Sequence, residues 1–228
     1  TPRFSDLKDR LRWLIGSEYE ANKVDDSQQV HMNGTNSGFG DVRFQDLTNF
    51  NDQKVRAAAV FGGVDLDVTD HLVAQGSFRY MERTDDFRGC LADPGGDGGI
   101  RFGFAALSAA LAGTPTVIAR GACVTLGADN KPVTIVANKL DEHNLSWRGG
   151  LSWKVAPDVM VYANVTKGYK AGAFDTLPAI RPAQTEPVPQ EALLAYEAGL
   201  KASLVDYRVQ IDAAVFHYDY SNKQIAGY

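Results

Sequence analysis

Apolar and polar residues alternate along several stretches of the chain, most regularly over residues 145–155. Leu145, Trp147, Gly149, Leu151, Trp153 and Val155 occupy one parity there, and Ser146, Arg148, Gly150, Ser152 and Lys154 the other. Successive side chains of a β-strand point to opposite faces, so this period of two predicts a strand with one apolar and one wet face. Residues 159–165 repeat it, with Val159, Val161, Ala163 and Val165 opposite Met160, Tyr162 and Asn164. Residues 194–204 set Leu194, Tyr196, Ala198, Leu200, Ala202 and Leu204 against Glu197, Lys201 and Ser203. The same reading predicts strands over 11–20, 55–68, 72–83 and 208–220, about seven in all.

The links between these strands alternate in length. Residues 6–10, 69–71, 156–158 and 205–207 are tight turns, whereas 22–51, 89–141 and 172–189 are long and rich in Gly, Pro, Asn and Asp. Within the second long link, 105–111 is short and apolar and reads as a small helix or a loop strand, and Gly95–Gly99 reads as a flexible run. Loops beyond about 12–15 residues are uncommon in compact domains, and in an antiparallel meander all three would leave the same side. Short turns on one side and long loops on the other are the habit of membrane barrels.

The wet parity collects Arg12, Glu18, Asp65, Asp67, Arg79, Arg83, Arg148, Lys154, Glu197, Lys201, Arg208 and Asp212, too many charges for a dry core. Trp13, Trp147 and Trp153 fall on the other parity near strand ends, where membrane-interface aromatics sit. The competing reading is a soluble sheet whose charged face meets water while its apolar face packs on a second sheet.

Composition narrows the classes. The 228 residues carry 28 Asp plus Glu against 23 Lys plus Arg, a formal charge of -5, with no basic stripe for nucleic acid. No run of about 18 apolar residues predicts a transmembrane helix, a test that a strand-built membrane protein escapes. The N-terminus lacks both Met and a signal-peptide pattern, so the chain reads as a processed or excised piece. Cys90 and Cys123 suit one disulfide in an oxidising compartment, with two free thiols as the alternative.

Catalytic chemistry is not legible. His31, His71, His143 and His217 are scattered without metal-ligand spacing. The acid pairs Asp25-Asp26, Asp65/Asp67 and Asp85-Asp86 lack the other ligands of a Ca²⁺ loop and read as solvated or interior charge. With no serine elbow and no phosphate loop, the chain is expected to be no enzyme and to hold no cofactor.

Specific motifs sharpen this. The run from Met160 to Phe174 reads MVYANVTKGYKAGAF, with Gly168, Tyr169 and Gly172 at its centre. It is followed by Pro189-Gln190-Glu191, by Tyr196-Glu197-Ala198-Gly199-Leu200-Lys201, and by the run from Ala213 to Ile225 that contains Phe216, Tyr220 and Gln224. In this order they resemble the "vYasvskGYksGgf", "pE…nYElGlKs" and "aaaFyydYkdiQ" strands of TonB-dependent outer-membrane receptors. Phe78-Arg79-Tyr80 and Val60-Phe61-Gly62 resemble that family's "GlRY" and "avFgq". The likeness covers about residues 11–228 and is sharpest over 159–225.

The resemblance implies an all-β, antiparallel up-and-down meander of seven to eight strands, part of a barrel of roughly 22 strands. Residues 1–228 would then be a partial barrel domain that lacks the plug domain, the N-terminal TonB box and the remaining strands. Gly227-Tyr228 would fall in the barrel interior of the pattern rather than at its closing strand. The implied location is the outer membrane of a Gram-negative bacterium. The implied function is TonB-energised uptake of a scarce nutrient, above all a ferric siderophore, with cobalamin, haem, nickel or glycans as other family cargoes. The implied partners are membrane lipid, the TonB complex through the absent N-terminal region, the small ligand and the plug. Arg79, Arg148, Tyr162, Lys170, Glu197 and Lys201 are candidates to face the lumen and plug, each of them otherwise a plain wall residue. Gly168 and Gly172 are expected at a close backbone approach or a bend. Aromatic and charged residues of 89–141 and 172–189 are the candidate ligand contacts. A passive porin and a soluble secreted β-sandwich binding module are the other readings.

Overall fold

The computed structural model describes residues 3–6, 10–31, 38–39, 42–95, 100–175, 179–205 and 207–225. One antiparallel sheet of eight strands runs through it, in the order β1 (Arg3–Asp6), β2 (Leu11–His31), β5 (Asp46–Asp67), β6 (Leu72–Ala92), β7 (Val136–Ala156), β8 (Val159–Lys170), β9 (Glu191–Leu204) and β10 (Val209–Ser221). A small hairpin, β3 (Gly38–Phe39) with β4 (Val42–Arg43), lies between β2 and β5 in the chain. Each strand of the large sheet pairs with its neighbour in sequence, so the topology is an up-and-down meander. Parts of the expected features at 6–10, 95–99, 172–189, 205–207 and 227–228 lie outside the described residues.

The strands are longer than the alternation predicts. β2 continues from 20 to His31, β5 begins at Asp46 rather than 55, and β6 and β7 extend to Ala92 and back to Val136. Most of the expected 22–51 loop is therefore a two-stranded ladder, in register from Asn22 opposite Val55 to His31 opposite Asp46. The extension escaped the pattern because β2 is exposed there on both faces; a backbone ladder holds it, with polar cross-strand contacts such as Lys23–Asp52 and Asn51–Asp26. Val68 lies in the turn after β5, and the apolar 105–111 segment belongs to a helix, α1 (Ile100–Ala112).

Register carries one parity across the whole sheet. Phe78 sits opposite Trp147 and Arg79 opposite Ser146; Arg148 faces Thr166, Asn164 faces Glu197, and Lys201 faces Asp212. The result is one continuous apolar face and one continuous polar face. Trp13, Val60, Val64, Phe78, Leu145, Trp147, Leu151, Trp153 and Val215 are exposed on the apolar face. No second sheet covers it among the described residues, which removes the packing that a soluble sandwich requires. Among the described residues no helix is long and apolar enough to cross a membrane, which says nothing of strands.

The main hydrophobic core lies beyond the sheet, in the connection between β6 and β7. Leu91, Ile100, Phe104, Ile118, Val124 and Leu126 form it, with Phe44 and Leu47 packed alongside. Where β7 stops pairing with β6, the segment around 122–126 takes its place: the Val124 amide donates to the Leu91 carbonyl (2.8 Å), and the Asp93 amide to that of Ala122 (3.0 Å). A disulfide joins Cys90 to Cys123 across this junction, with Cα atoms 5.8 Å apart. Asp93 organises the start of the connection, its Oδ2 accepting from the Gly95 amide, the Gly121 amide and the buried Arg101 guanidinium. Gly95 and Gly121 both have positive φ, a conformation that favours glycine.

Candidate functional site

The two long connections fold into one cap. The Leu126 amide donates to the Ile180 carbonyl (2.9 Å) and the Thr125 hydroxyl to that of Ala179 (2.7 Å). Arg181 reaches back to the Gly127 carbonyl (2.9 Å) and to Asn130 Oδ1 (2.7 Å). The short 3₁₀ helix Pro182–Thr185 is tied to β7 by Asn138, which donates to both oxygens of Thr185. Asn138 has the polar parity of β7, so this part of the cap leans over the polar face, while Cys123 reaches Cys90 on the other parity above the exposed apolar band.

Its attachment is a buried electrostatic latch. Arg83 and Glu142 are direct cross-strand partners on the polar face, beyond the apolar band of β6 and β7. Arg83 Nη2 donates to Asp85 Oδ2 at 2.8 Å, and its Nη1 lies 3.7 Å from Glu142 Oε2 and donates to the Gly172 carbonyl at 3.2 Å. The Gly172 amide donates to both carboxylate oxygens of Glu142, at 3.1 and 3.0 Å. One residue of the loop is thus clamped at its carbonyl by a cation and at its amide by an anion. Phe174 stacks on Phe87, ring centroids 4.8 Å apart, just above the clamp. Asn144 donates to Gln190 Oε1 (3.2 Å) below it.

Asp85 is 1% exposed, and its Oδ1 has no hydrogen-bond partner among the described residues. Burial pushes this carboxyl above its ordinary range, and the Arg83 guanidinium pulls it part of the way back. Of the two expectations for this acid pair, solvated or interior charge, Asp85 takes the interior one, buried on the polar parity.

Gly172 lies just past β8, and the close approach expected of it is real. A Cβ there would collide with the Val188 carbonyl oxygen and stand 2.6 Å from Glu142 Oε1. Replacing Gly172 with alanine is expected to cost about 1–3 kcal/mol and loosen the loop. Faster amide exchange over residues 171–175, with β7 and β8 unchanged, would register it. Gly168, by contrast, has open space around it, and the expectation of a close approach there is corrected.

The other sequence candidates divide by face. Arg79, Arg148, Tyr162, Lys170, Glu197 and Lys201 share the polar parity. Tyr162 donates to Glu197 at 2.7 Å, its ring lying where a Cβ of Gly199 would be. Arg79 pairs with Glu18 at 2.9 Å. Arg148 lines a groove of about 560 Å³ with Arg12, Asp65 and Gln75. Lys170 and Lys201 stand beside Glu191 and Asp212 in register. These residues are spread along the wall and do not converge on one point. Among the motif residues, Phe216 and Tyr220 have the polar parity, while Tyr169 and Tyr196 lie on the apolar face. Gln224 donates to the carbonyls of Ala171 and Pro189, closing the base of the cap loop. Glu142 and Asn144 were not singled out from the sequence, and Gln190 entered only within the Pro189-Gln190-Glu191 motif; the signal for the first two was the polar parity continued below residue 145. Among the described residues no cluster of His, Cys, Asp and Glu could hold a metal ion.

A sheet with one bare apolar face, one charged face and loops gathered at one end is a segment of barrel wall. A family model described as TonB dependent receptor-like, beta-barrel matches residues 3–228. The chain belongs to this family. Receptor barrels of this kind reside in the outer membrane and serve transport. Similar solved folds include the ferric yersiniabactin uptake receptor FyuA from Yersinia pestis, with a TM-score of 0.54 and 13% identity over 95% of this chain and 31% of that one. The siderophore receptor PiuA from Acinetobacter baumannii matches with a TM-score of 0.58 and 13% identity over 95% of this chain and 30% of that one. The closed form of the ferric-catecholate import receptor Fiu from E. coli K12 matches at 0.58 and 16% identity, over 96% of this chain and 30% of that one. The receptor segment thus spans just under a third of the length of these proteins.

Proposed function

We propose that this chain forms one arc of an outer-membrane receptor barrel, with the surface cap that meets a ferric siderophore before TonB-energised uptake. The observation that carries this reading is the family match over residues 3–228. The solved receptors of the same fold take up ferric yersiniabactin and ferric catecholates, by their names. The dimensions agree with a membrane wall. The apolar run on the outer parity, from Leu72 to Tyr80 in β6 and from Leu145 to Val155 in β7, has the length of about 9–11 residues that a tilted strand needs to cross. The polar face then lines the lumen. Arg79, Arg148, Tyr162, Glu197 and Lys201 are wall groups for a plug that the rest of the protein supplies, together with the remaining strands and the contact to TonB. Cys90–Cys123 braces the cap on the outer side.

Deleting the gene for the full-length protein is expected to abolish growth on one ferric siderophore as sole iron source, and complementation to restore it. Dissipating the proton gradient or deleting TonB should abolish uptake of the labelled complex equally. Uptake that persists without the gradient would make the protein a passive pore and overturn the proposal.

A further inference from the structure

On β10 the polar parity begins with Gln210 and Asp212 and ends in a run of rings, Phe216, Tyr218 and Tyr220. Register puts these on the face of the charged wall residues. Tyr218 ends the row Arg148, Thr166, Ala195, and Phe216 ends the row Asn164, Glu197. The three are 60%, 44% and 44% exposed, so they are surface groups rather than core. The rings of Phe216 and Tyr218 stack, centroids 4.8 Å apart and planes inclined by 22°. The Lys223 ammonium lies 5.1 Å from the centroid of the Tyr220 ring. Neither hydroxyl, of Tyr218 or Tyr220, makes a hydrogen bond among the described residues.

Packing within the sheet does not account for them. The inward positions beside Tyr218 and Tyr220 are Ala195 and Leu193 on β9, then Thr166 and Gly168 on β8. A Cβ on Gly168 would meet nothing within 4 Å. The rings therefore border an open shelf on the polar face.

Height places this shelf in the mouth of the barrel. The outward parity of β10 is apolar from Val209 to Val215 and turns polar at His217 and Asp219, so the membrane band ends there. From Val215 to Tyr220 the strand climbs about 12 Å at a tilt near 45°. Just beyond, Gln224 donates to the carbonyls of Ala171 and Pro189 at the base of the cap. A molecule held by the cap is thus within reach of the rings.

The chemistry of the shelf selects its occupant. Exposed ring faces take a flat ring by offset stacking, and free phenol hydroxyls donate at its edge. Lys223 adds a cation, and the nearby carboxylates are engaged or averted: Glu197 accepts from Tyr162, Glu191 from the Gln224 amide, and Asp219 has the outward parity. An acyl tail would use neither hydroxyl nor ammonium. A sugar would need planar polar groups around its rim, where the shelf offers Ala195, Leu193, Gly168 and a Thr166 already bonded to Asn164. An aromatic ring bearing anionic oxygens uses all three features. We infer that Phe216, Tyr218, Tyr220 and Lys223 form a stacking site for an aryl arm of the cargo. Among ferric siderophores the receptor then selects catecholate- or phenolate-type chelates over those with aliphatic arms, an inference that rests on the siderophore reading above.

The test is equilibrium dialysis of iron-labelled complexes against the full-length protein, extracted from its outer membrane in mild detergent. The probes are a ferric tris-catecholate, a ferric phenolate chelate and a ferric trihydroxamate with aliphatic arms. An aryl complex is expected to bind more tightly than the trihydroxamate. Tyr218→Leu/Tyr220→Leu should weaken aryl binding about tenfold, the effect of two lost ring contacts. Tyr196→Leu, on the outward parity of β9, should bind as wild type does. Lys223→Gln leaves the rings in place and should weaken aryl binding about threefold, the worth of one exposed charge contact; it decides the matter if the double variant does not fold. Unchanged aryl affinity in the deciding variant, or a preference for the trihydroxamate, would overturn the inference and leave the receptor reading standing. Binding of none of the three complexes would remove the siderophore reading itself, and the aryl site with it.

Discussion

Replacing Arg83 with methionine is expected to release residues 171–175 from the polar face at neutral pH while leaving the sheet beneath them folded. Arg83 is the cation between two buried carboxylates, Asp85 and Glu142, with side-chain exposures of 1% and 5%. Methionine keeps the volume and removes the charge, so two carboxylates remain side by side without a counter-ion. Breaking a buried pair in this way costs about 3–5 kcal/mol, enough to free Gly172 and the Phe174 stack beside it, while the separate tethers of residues 179–190 hold. The strands outlast the loop because their backbone ladders do not use Arg83's side chain.

The effect carries a pH signature whose sign follows from Asp85. Burial already holds its carboxyl above the ordinary range, and losing the guanidinium removes what lowers it. A carboxyl whose folded value is raised is penalised once the unfolded form ionises, and the penalty grows until the folded form ionises too. The latch in Arg83→Met is therefore expected to weaken as pH rises from the ordinary carboxylate range through the raised one, and to recover in acid. Amide exchange at Gly172 as a function of pH reads this directly. A loop that opened equally at all pH would locate the defect in lost packing instead.

The latch also shows where the sequence was silent. Arg83 was recognisable as an inward charge, but its partner was not, because β6 and β7 are joined by the whole 93–135 connection and no turn sets their register. β7 and β8 differ: Ala156-Pro157-Asp158 is a tight turn, and alternation on both sides fixes Tyr162 on the face of Ser152. Faces were legible wherever one face is apolar, as at 145–155. They were illegible in 22–31, where Lys23, Asp25, Asp26 and Gln28 leave no stripe and water accepts either side. The helix Ile100–Ala112 was hard to see for the opposite reason. Phe102, Phe104, Ala105, Ala106 and Leu107 read as an undivided apolar run, and Phe102 stays exposed while Phe104 is buried.

Truncating Phe104 to alanine is expected to melt the cap as a unit and to spare the wall. Phe104 is 1% exposed at the centre of the small cluster of Leu91, Ile100, Ile118, Val124 and Leu126. Removing a buried phenyl ring costs about 3–5 kcal/mol, part transfer and part cavity. A core this small has few other contacts to absorb the loss. The Cys90–Cys123 bridge limits the damage, since closing its loop removes roughly 3–4 kcal/mol of chain entropy from the opened state. The segment around 122–126 should therefore stay beside β6 while α1 and residues 113–120 lose order. Exchange of the α1 amides is expected to quicken by roughly two to three orders of magnitude, with β6 to β9 unchanged. Reducing the disulfide in the variant should then free 122–126 as well, so the two perturbations combined exceed either alone. If β6 and β7 lost protection in step with α1, cap and wall would be one cooperative unit. The cap could not then rearrange around a ligand without disturbing the barrel. Independent melting would leave the cap free to rearrange on a wall that holds its shape.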